Sequence, residues 1–272
     1  MKTWEMHRLV QDAMQWWLLD HRRVEEAQQE FIARLAEVIP TGAFENWRVC
    51  QILLPHVKSA ATLDCNDKRT LLLWAEVMYR TGWYAQGIGS LADAARFAQN
   101  SSSIRQEMLP PDNEDVLSSE ALLAGVRRDQ GRWKEAEELE VQVMEARERT
   151  LGEEHPDTLT AKANLAYTLQ STDRISEAID LMKRCAIVSS STLGHRHLDT
   201  RSRIQQADEW AGKSDKVSSG SIGDDDASDH GQVYRDAPMT EVDEIIEDGA
   251  NESDCMTSSN EDVGDSVGGV SI

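Results

Sequence analysis

Apolar positions in the first sixty residues recur at helical spacing. Leu9/Val10, Ala13 and Trp16/Trp17 share one face and predict a helix over residues 7–20. Val24, Ala27, Phe31, Leu35 and Val38/Ile39 predict a second, stopped by Pro40-Thr41-Gly42. Trp47, Cys50, Leu53/Leu54 and Val57 predict a third, which Pro55 should kink or divide. From about residue 67 the chain reads as paired helices. Residues 71–80 are the first member of a pair, 81–84 its turn and 88–97 the returning helix, broken at Asn100-Ser101-Ser102-Ser103. Gly82 is expected to take the left-handed conformation at that turn, as Gly131 does in the next pair. Further pairs follow at 115–129 with 133–149 and at 156–171 with 175–189. Residues 198–211 read as a closing helix without a partner.

These pairs repeat at a fixed distance. Leu151-Gly152, His155 and Asp157-Thr158 recur 42 residues later as Leu193-Gly194, His197 and Asp199-Thr200. Arg132, Glu135, Ala136 and Leu139 recur as Arg174, Glu177, Ala178 and Leu181. Counting 42 backwards, Leu159, Ala163, Leu165 and Ala166 fall on Leu117, Ala121, Leu123 and Ala124. A period of this size predicts stacked helical hairpins, an all-α solenoid. Within a hairpin, Ala136 and Ala178 let helices approach closely. Pro156 suits the first turn of a helix, where no N–H partner is needed. Asp157 sets a negative charge at the positive end of the helix dipole. The charged run 135–140 reads mostly as a solvated face.

Charge divides the chain. Of the net −21, residues 214–272 hold sixteen Asp/Glu against Lys216 and Arg235. The segment 213–272 is therefore read as a disordered acidic tail, too poor in apolar residues to offset the entropy of ordering. No basic stripe exists to displace counterions from phosphates, which argues against nucleic-acid binding. Cys50, Cys65, Cys185 and Cys255 form no C-x-x-C pair and read as reduced thiols. The longest early apolar run, 16–19, is too short to span a bilayer. A cytoplasmic location is the expectation.

The motifs L-G-x-x-H-P-D-T and G-R-x-x-E-A in this 42-residue unit resemble the tetratricopeptide repeats of the kinesin light chain type. The resemblance covers about residues 67–211. Gly131-Arg-Trp-Lys-Glu-Ala-Glu-Glu-Leu139 and Leu151-Gly-Glu-Glu-His-Pro-Asp-Thr-Leu-Thr160 are most similar to the repeats of fungal NLR-like (NB-ARC, or STAND) proteins. Met6-His7-Arg8-Leu9 resembles the box that ends the winged-helix part of their nucleotide-binding module, and the resemblance implies a phosphate contact for His7. Glu45-Asn46-Trp47 and Leu53-Leu54-Pro55-His56 are similar to their helical linker. The implied organisation is a winged-helix remnant and linker over 1–66, repeats over 67–212 and the tail over 213–272. No G-x-x-x-x-G-K-[ST] is present to cradle phosphates, so no cofactor and no nucleotide hydrolysis are expected of this chain.

The resemblance also implies where a protein or peptide partner binds, on the concave face of the repeats. Asn164, within Asn164-Leu165-Ala166, matches an Asn that bonds peptide backbone there. Lys162 on the same helix and Gln206 at the equivalent position of the next helix complete the candidate set. Leu122 replaces the Asn in the preceding unit. His155, His195 and His197 could suggest zinc, but repeat-equivalent positions lie a whole unit apart, so a role in the turns is expected. The tryptophans are assigned to helix packing, except that Trp4 and Trp17 would pack on the nucleotide-binding module of the resembled proteins and, without it, leave an exposed apolar patch. Ser59, Ser90 and Ser118 sit in no nucleophile elbow. A non-enzymatic interaction module is expected, with a free-standing kinesin light chain-like adaptor as the alternative.

Overall fold

The computed structural model describes residues 8–61 and 67–218, and every regular element among them is helical. The leading helices are α1 (Arg8–Asp20), α2 (Val24–Val38) and α3 (Trp47–Ala60), with a short 3-10 turn at Phe44–Asn46. Pro55 lies inside α3, and the helix runs on through it undivided. Three hairpins follow: α4 (Lys68–Gly87) with α5 (Leu91–Met108), α6 (Glu114–Asp129) with α7 (Trp133–Leu151), and α8 (Pro156–Ser171) with α9 (Ile175–Thr192). The closing helix, α10, spans Leu198–Ser218, seven residues beyond its expected end. Trp4, Met6, His7, Cys65, Cys255 and the tail from 219 onward lie outside the described residues.

The second and third hairpins fall where the periodicity puts them, and the first corrects the reading. Gly82 is not at a turn but deep inside α4. A Cβ there would come 3.2 Å from Leu122 Cδ2 and 3.3 Å from the Ala98 backbone nitrogen, so α4 and α5 touch at this point. The left-handed turn sits at Gly89 (φ +77°). It is followed at intervals of 42 by Gly131 (φ +73°) and Asp173 (φ +61°). Gly82 instead has the buried Ala124 and Ala166 as its equivalents. The serines at 101–103 do not break α5. Ser101 Oγ donates across to the Ala75 carbonyl at 2.8 Å, so its hydroxyl is satisfied without competing for its own helix.

Packing runs along the stack. Each second helix lies against the first helix of the next unit, α5 on α6, α7 on α8 and α9 on α10, while α2 and α3 cover α4. Ala136 and Ala178 are fully buried, as their spacing predicts. His155 Nδ1 and His197 Nδ1 accept the backbone N–H of Asp157 and Asp199, each at 3.3 Å, which makes both histidines helix caps. Two junctions carry one polar pair in opposite order. Arg105 Nη1 on α5 donates to Ser119 Oγ on α6 at 2.7 Å. Arg203 Nη1 on α10 donates to Ser189 Oγ on α9 at 2.6 Å. Ser189 stands two periods after Arg105, and Arg203 two periods after Ser119. The bond is kept while its donor and acceptor exchange helices.

The end at α10 is more polar than the junctions inside the stack, although Leu198 and Ile204 are also exposed there. The positions that face the second helix of a hairpin are Leu117, Ala121 and Ala124 in α6 and Leu159, Ala163 and Ala166 in α8. In α10 they become Arg201, Gln205 and Asp208, all exposed. Solenoids close their hydrophobic stack in this way.

Candidate functional site

The first helices of successive hairpins pack on one another, α4 on α6 and α6 on α8, more closely than the second helices do. The row α4, α6, α8 and α10 is therefore the inner wall of the repeats, and two clefts open on it.

One lies between α8 and α10. Asn164, half-buried, lines it with Thr160, Tyr167, Ser202 and Arg203 around a void of ≈ 30 Å³. The lining is rich in amide and hydroxyl groups, which donate and accept without net charge. The three sequence candidates do not meet here. Lys162, two residues from Asn164, points to the other side of α8, and its Nζ holds Glu148 Oε1 of α7 at 2.7 Å. It ties two helices together and does not share the Asn164 face. Gln206 is half-buried one period on but does not line this void. Leu122, at the same register in α6, is fully buried against Ala85, Ala94 and Ala98, so packing interrupts the ladder.

The larger cleft was not read from the sequence. It has a volume of ≈ 780 Å³ and lies between the N-terminal ends of α4 and α6, floored by Leu72, Leu73 and Leu109. Two of its acids are occupied. Asp67 Oδ2 caps α4 by accepting the Thr70 N–H and hydroxyl, both at 2.9 Å, and these bonds hold its carboxyl below the usual range. Glu76 binds Arg80 Nε at 2.6 Å and also pairs with Arg105. Lys68 and Arg69 also line the cleft, and the Arg69 charge adds to the pull on the Asp67 carboxyl. The 71–73 leucine run could have signalled this opening, since three consecutive apolar residues cannot all face the core of one helix.

A buried ion pair braces the wall between the clefts. Arg128 Nη1 on α6 donates to Glu140 Oε1 on α7 at 2.9 Å and to the Asn164 carbonyl on α8 at 3.3 Å. Its guanidinium also lies 5.9 Å from the Tyr167 ring centre. Glu140 is 3 % exposed, which corrects its placement on a solvated face. Burial pushes its carboxyl up to about 7 against the pull of Arg128. Burial likewise pushes the Cys185 thiol up to about 11, far from a reactive thiolate. No group of three or more His, Cys, Asp or Glu residues that could hold a metal occurs among the described residues. No helix there is long and apolar enough to cross a membrane. The walls offer hydrogen bonds, apolar floor and fixed charge, which suit binding.

Residues 115–186 match the family model described as tetratricopeptide repeat. Similar solved structures include the nearly identical TPR-like repeats of a Podosopora anserina protein described as a kinesin light chain. That likeness has a TM-score of 0.50 at 21% identity over 71% of this chain and 90% of that one. BtubC (BKLC) from P. vanneervenii aligns with a TM-score of 0.50 at 16% identity, covering 72% of this chain and 87% of that one. A search of curated proteins gave no match. At these identities the likeness shows the fold alone, a helical solenoid of the tetratricopeptide kind with kinesin light chain-like structural neighbours, and the repeat family itself matches only residues 115–186. Such repeats are typically non-enzymatic scaffolds for protein–protein interaction.

Proposed function

We propose that this chain is a non-enzymatic protein-interaction module that holds a protein or peptide partner on the inner row α4, α6, α8 and α10. The observation that carries this reading is the open cleft at α4 and α6, where leucines floor the site and Lys68 and Arg69 line it beside them. Asn164 adds backbone-type hydrogen bonding at the far end of the row. The module is the linker and repeat part of an NLR-like signalling protein, acting in the cytoplasm. The Met6-His7-Arg8 box and the helices α1 to α3 ahead of the repeats support that context. His7 would meet nucleotide only within a complete nucleotide-binding module.

A second reading, a kinesin light chain-like adaptor for peptide cargo, is favoured by the similarity to the solved repeat structures. Affinity capture from extracts tests the shared core of both readings. Leu72→Glu or Asn164→Ala should weaken a captured partner, while Lys134→Glu on the outer helix α7 should leave it bound. Loss of binding only in the outer-face variant would refute the inner-row assignment.

A further inference from the structure

The void beside Asn164 gathers polar groups that the fold leaves unmatched. Asp199, in the first turn of α10, is 7 % exposed and lines this void, and its Oδ2 has no hydrogen-bond partner. Arg203 Nη2 and His197 Nδ1 both stand 4.0 Å from that oxygen, beyond hydrogen-bond reach. From α8 the Asn164 carboxamide lines the same void, with no hydrogen bond of its own among the described residues. A buried oxygen left unpaired is costly and calls for a physical reason. The repeat itself does not supply one. Asp157 stands one period earlier, in the same turn of α8, with its side chain 28 % exposed against 8 % for Asp199. Leu122 and Ala161 take the places of Asn164 and Arg203 there, and Arg80 and Ser119 take them one period earlier still. The cluster belongs to this junction and not to the repeat.

We propose that this void is a socket for a primary carboxamide, the side chain of an asparagine or glutamine in the partner, an inference that rests on the inner row being the binding face. Charge narrows the choice. Asp199 and Arg203 line the void together, so an ammonium group would meet the guanidinium and a carboxylate would meet Asp199. Each would be a like-charge contact with little water to screen it. A neutral group that both donates and accepts meets neither. Size narrows it further. A void of ≈ 30 Å³ takes about two water-sized groups, since one needs roughly 10–15 Å³. The tip of a carboxamide is such a pair, an NH2 and a C=O side by side. Its N–H can donate to Asp199 Oδ2 while its oxygen accepts from Arg203 Nη2, which bridges the 4.0 Å gap between them. Asn164 can bond the same tip, because one carboxamide both donates to and accepts from another. A hydroxyl fills half the space with a single donor. A backbone peptide group holds its N–H and C=O on opposite edges and cannot put both into the void. Asn164 and Ser202, both half-buried, give the void its mouth on the inner row.

The test uses the full chain and the N-acetyl methylamides of glutamine, glutamate, lysine and methionine, whose backbones are the same. Binding is followed by NMR at the Asn164 side-chain amide and the 199–203 backbone, up to about 50 mM, because ligands this small bind weakly. The glutamine probe should bind about tenfold more tightly than each of the others, the factor that one or two neutral hydrogen bonds supply. This comparison on the parent chain needs no variant. Asn164→Leu, which installs the residue of the preceding unit, should remove the preference. Asp199→Asn leaves Arg203 as the one charged group lining the void, so the order should invert in favour of glutamate. No shift from any probe, which leaves water as the occupant, would overturn the proposal. So would equal binding of all four probes, or a glutamine preference that both variants keep. A captured partner that is sensitive to Leu72→Glu, beside a chain that shows no glutamine preference, would strike the socket and leave the inner row standing. Glutamine binding without such a partner would do the reverse.

Discussion

Arg128→Leu tests the buried pair at the centre of the repeats. Glu140 keeps its carboxylate in an almost fully enclosed site, and its one bonded cation is Arg128. The Glu140 carboxyl already stands at about 7 in the fold, against an ordinary value of 4.5. The folded state therefore holds this proton more tightly than the unfolded chain does. Stability from this group is complete below pH 4.5 and falls as pH rises to about 7, by roughly 3 kcal/mol at 1.36 kcal/mol per unit. Removing Arg128 removes the main attraction that favours the ionised form, so the Glu140 carboxyl rises further and the fall continues to higher pH. At pH 5.5 Glu140 is mostly protonated in both proteins. The variant then loses the bonds to the protonated Glu140 carboxyl and the Asn164 carbonyl and the contact with Tyr167, about 1–3 kcal/mol together. At pH 8.5 it must bury an unpaired carboxylate or unfold around it, a loss of about 3–5 kcal/mol. Urea unfolding followed by circular dichroism, with parent and variant compared at each pH, cancels the titrating groups on which Arg128 does not act, and the double variant below carries any contribution from its neighbour Asp129. The double variant Arg128→Leu/Glu140→Gln should lose the part of this pH dependence that Glu140 supplies. A loss for Arg128→Leu that is equal at pH 5.5 and 8.5 would refute the account of the pair.

Other expectations follow from single contacts. Gly82→Val forces a branched side chain against Leu122 and the α5 backbone and should cost about 1–3 kcal/mol in thermal unfolding; an unchanged midpoint would show that α4 and α5 can part there. Asn164→Ala should leave the melting curve alone and weaken a captured partner about 2- to 13-fold, the worth of one neutral hydrogen bond at about 0.5–1.5 kcal/mol, while Lys162→Ala leaves capture unchanged because Lys162 faces α7. Asp67→Ala should speed amide exchange at Thr70, whose N–H it caps, without affecting α8. Calorimetry with ATP or ADP should show no binding tighter than about 10 μM, since the chain has no Gly-rich phosphate loop.

How much of this was legible in the sequence depended on whether a residue's environment is set locally or by another helix. The second and third hairpins were legible because Gly131, Pro156 and the caps His155 and His197 act on their own backbone within a few residues. The first hairpin was not, because it lacks the cap motif: Leu109-Pro110-Pro111-Asp112 stands where the others have Leu-Gly-x-x. Without that marker Gly82 and Gly89 compete as turn residues. What decides between them is tertiary, the approach of Ala98 and Leu122 to Gly82. Ser101 is the same case, since the Ala75 carbonyl that satisfies it lies on a different helix.

The inner row shows both kinds of limit. Register located Asn164 in its cleft, because the 42-residue period fixes the face of every first helix. The same helical geometry could have excluded Lys162, since neighbours two apart on a helix lie some 200° around its axis. Glu140 was concealed by company. It sits in a run of charges, yet it is four residues from Ala136 and three from Val143, which places it on the buried stripe of α7. Only Arg128, arriving from α6, makes that position tolerable for a carboxylate, and no pattern within α7 announces it. The larger cleft depends on a third helix in the same way. Leu72 and Leu73 read as core until α4 is seen to begin at Lys68, about one turn ahead of the register that Glu114, Pro156 and Leu198 set for the later first helices, so that its first turn runs past the start of α6. The proposed binding surface is thus made where the regular repeat fails to cover itself, so periodicity predicts the scaffold better than the candidate site.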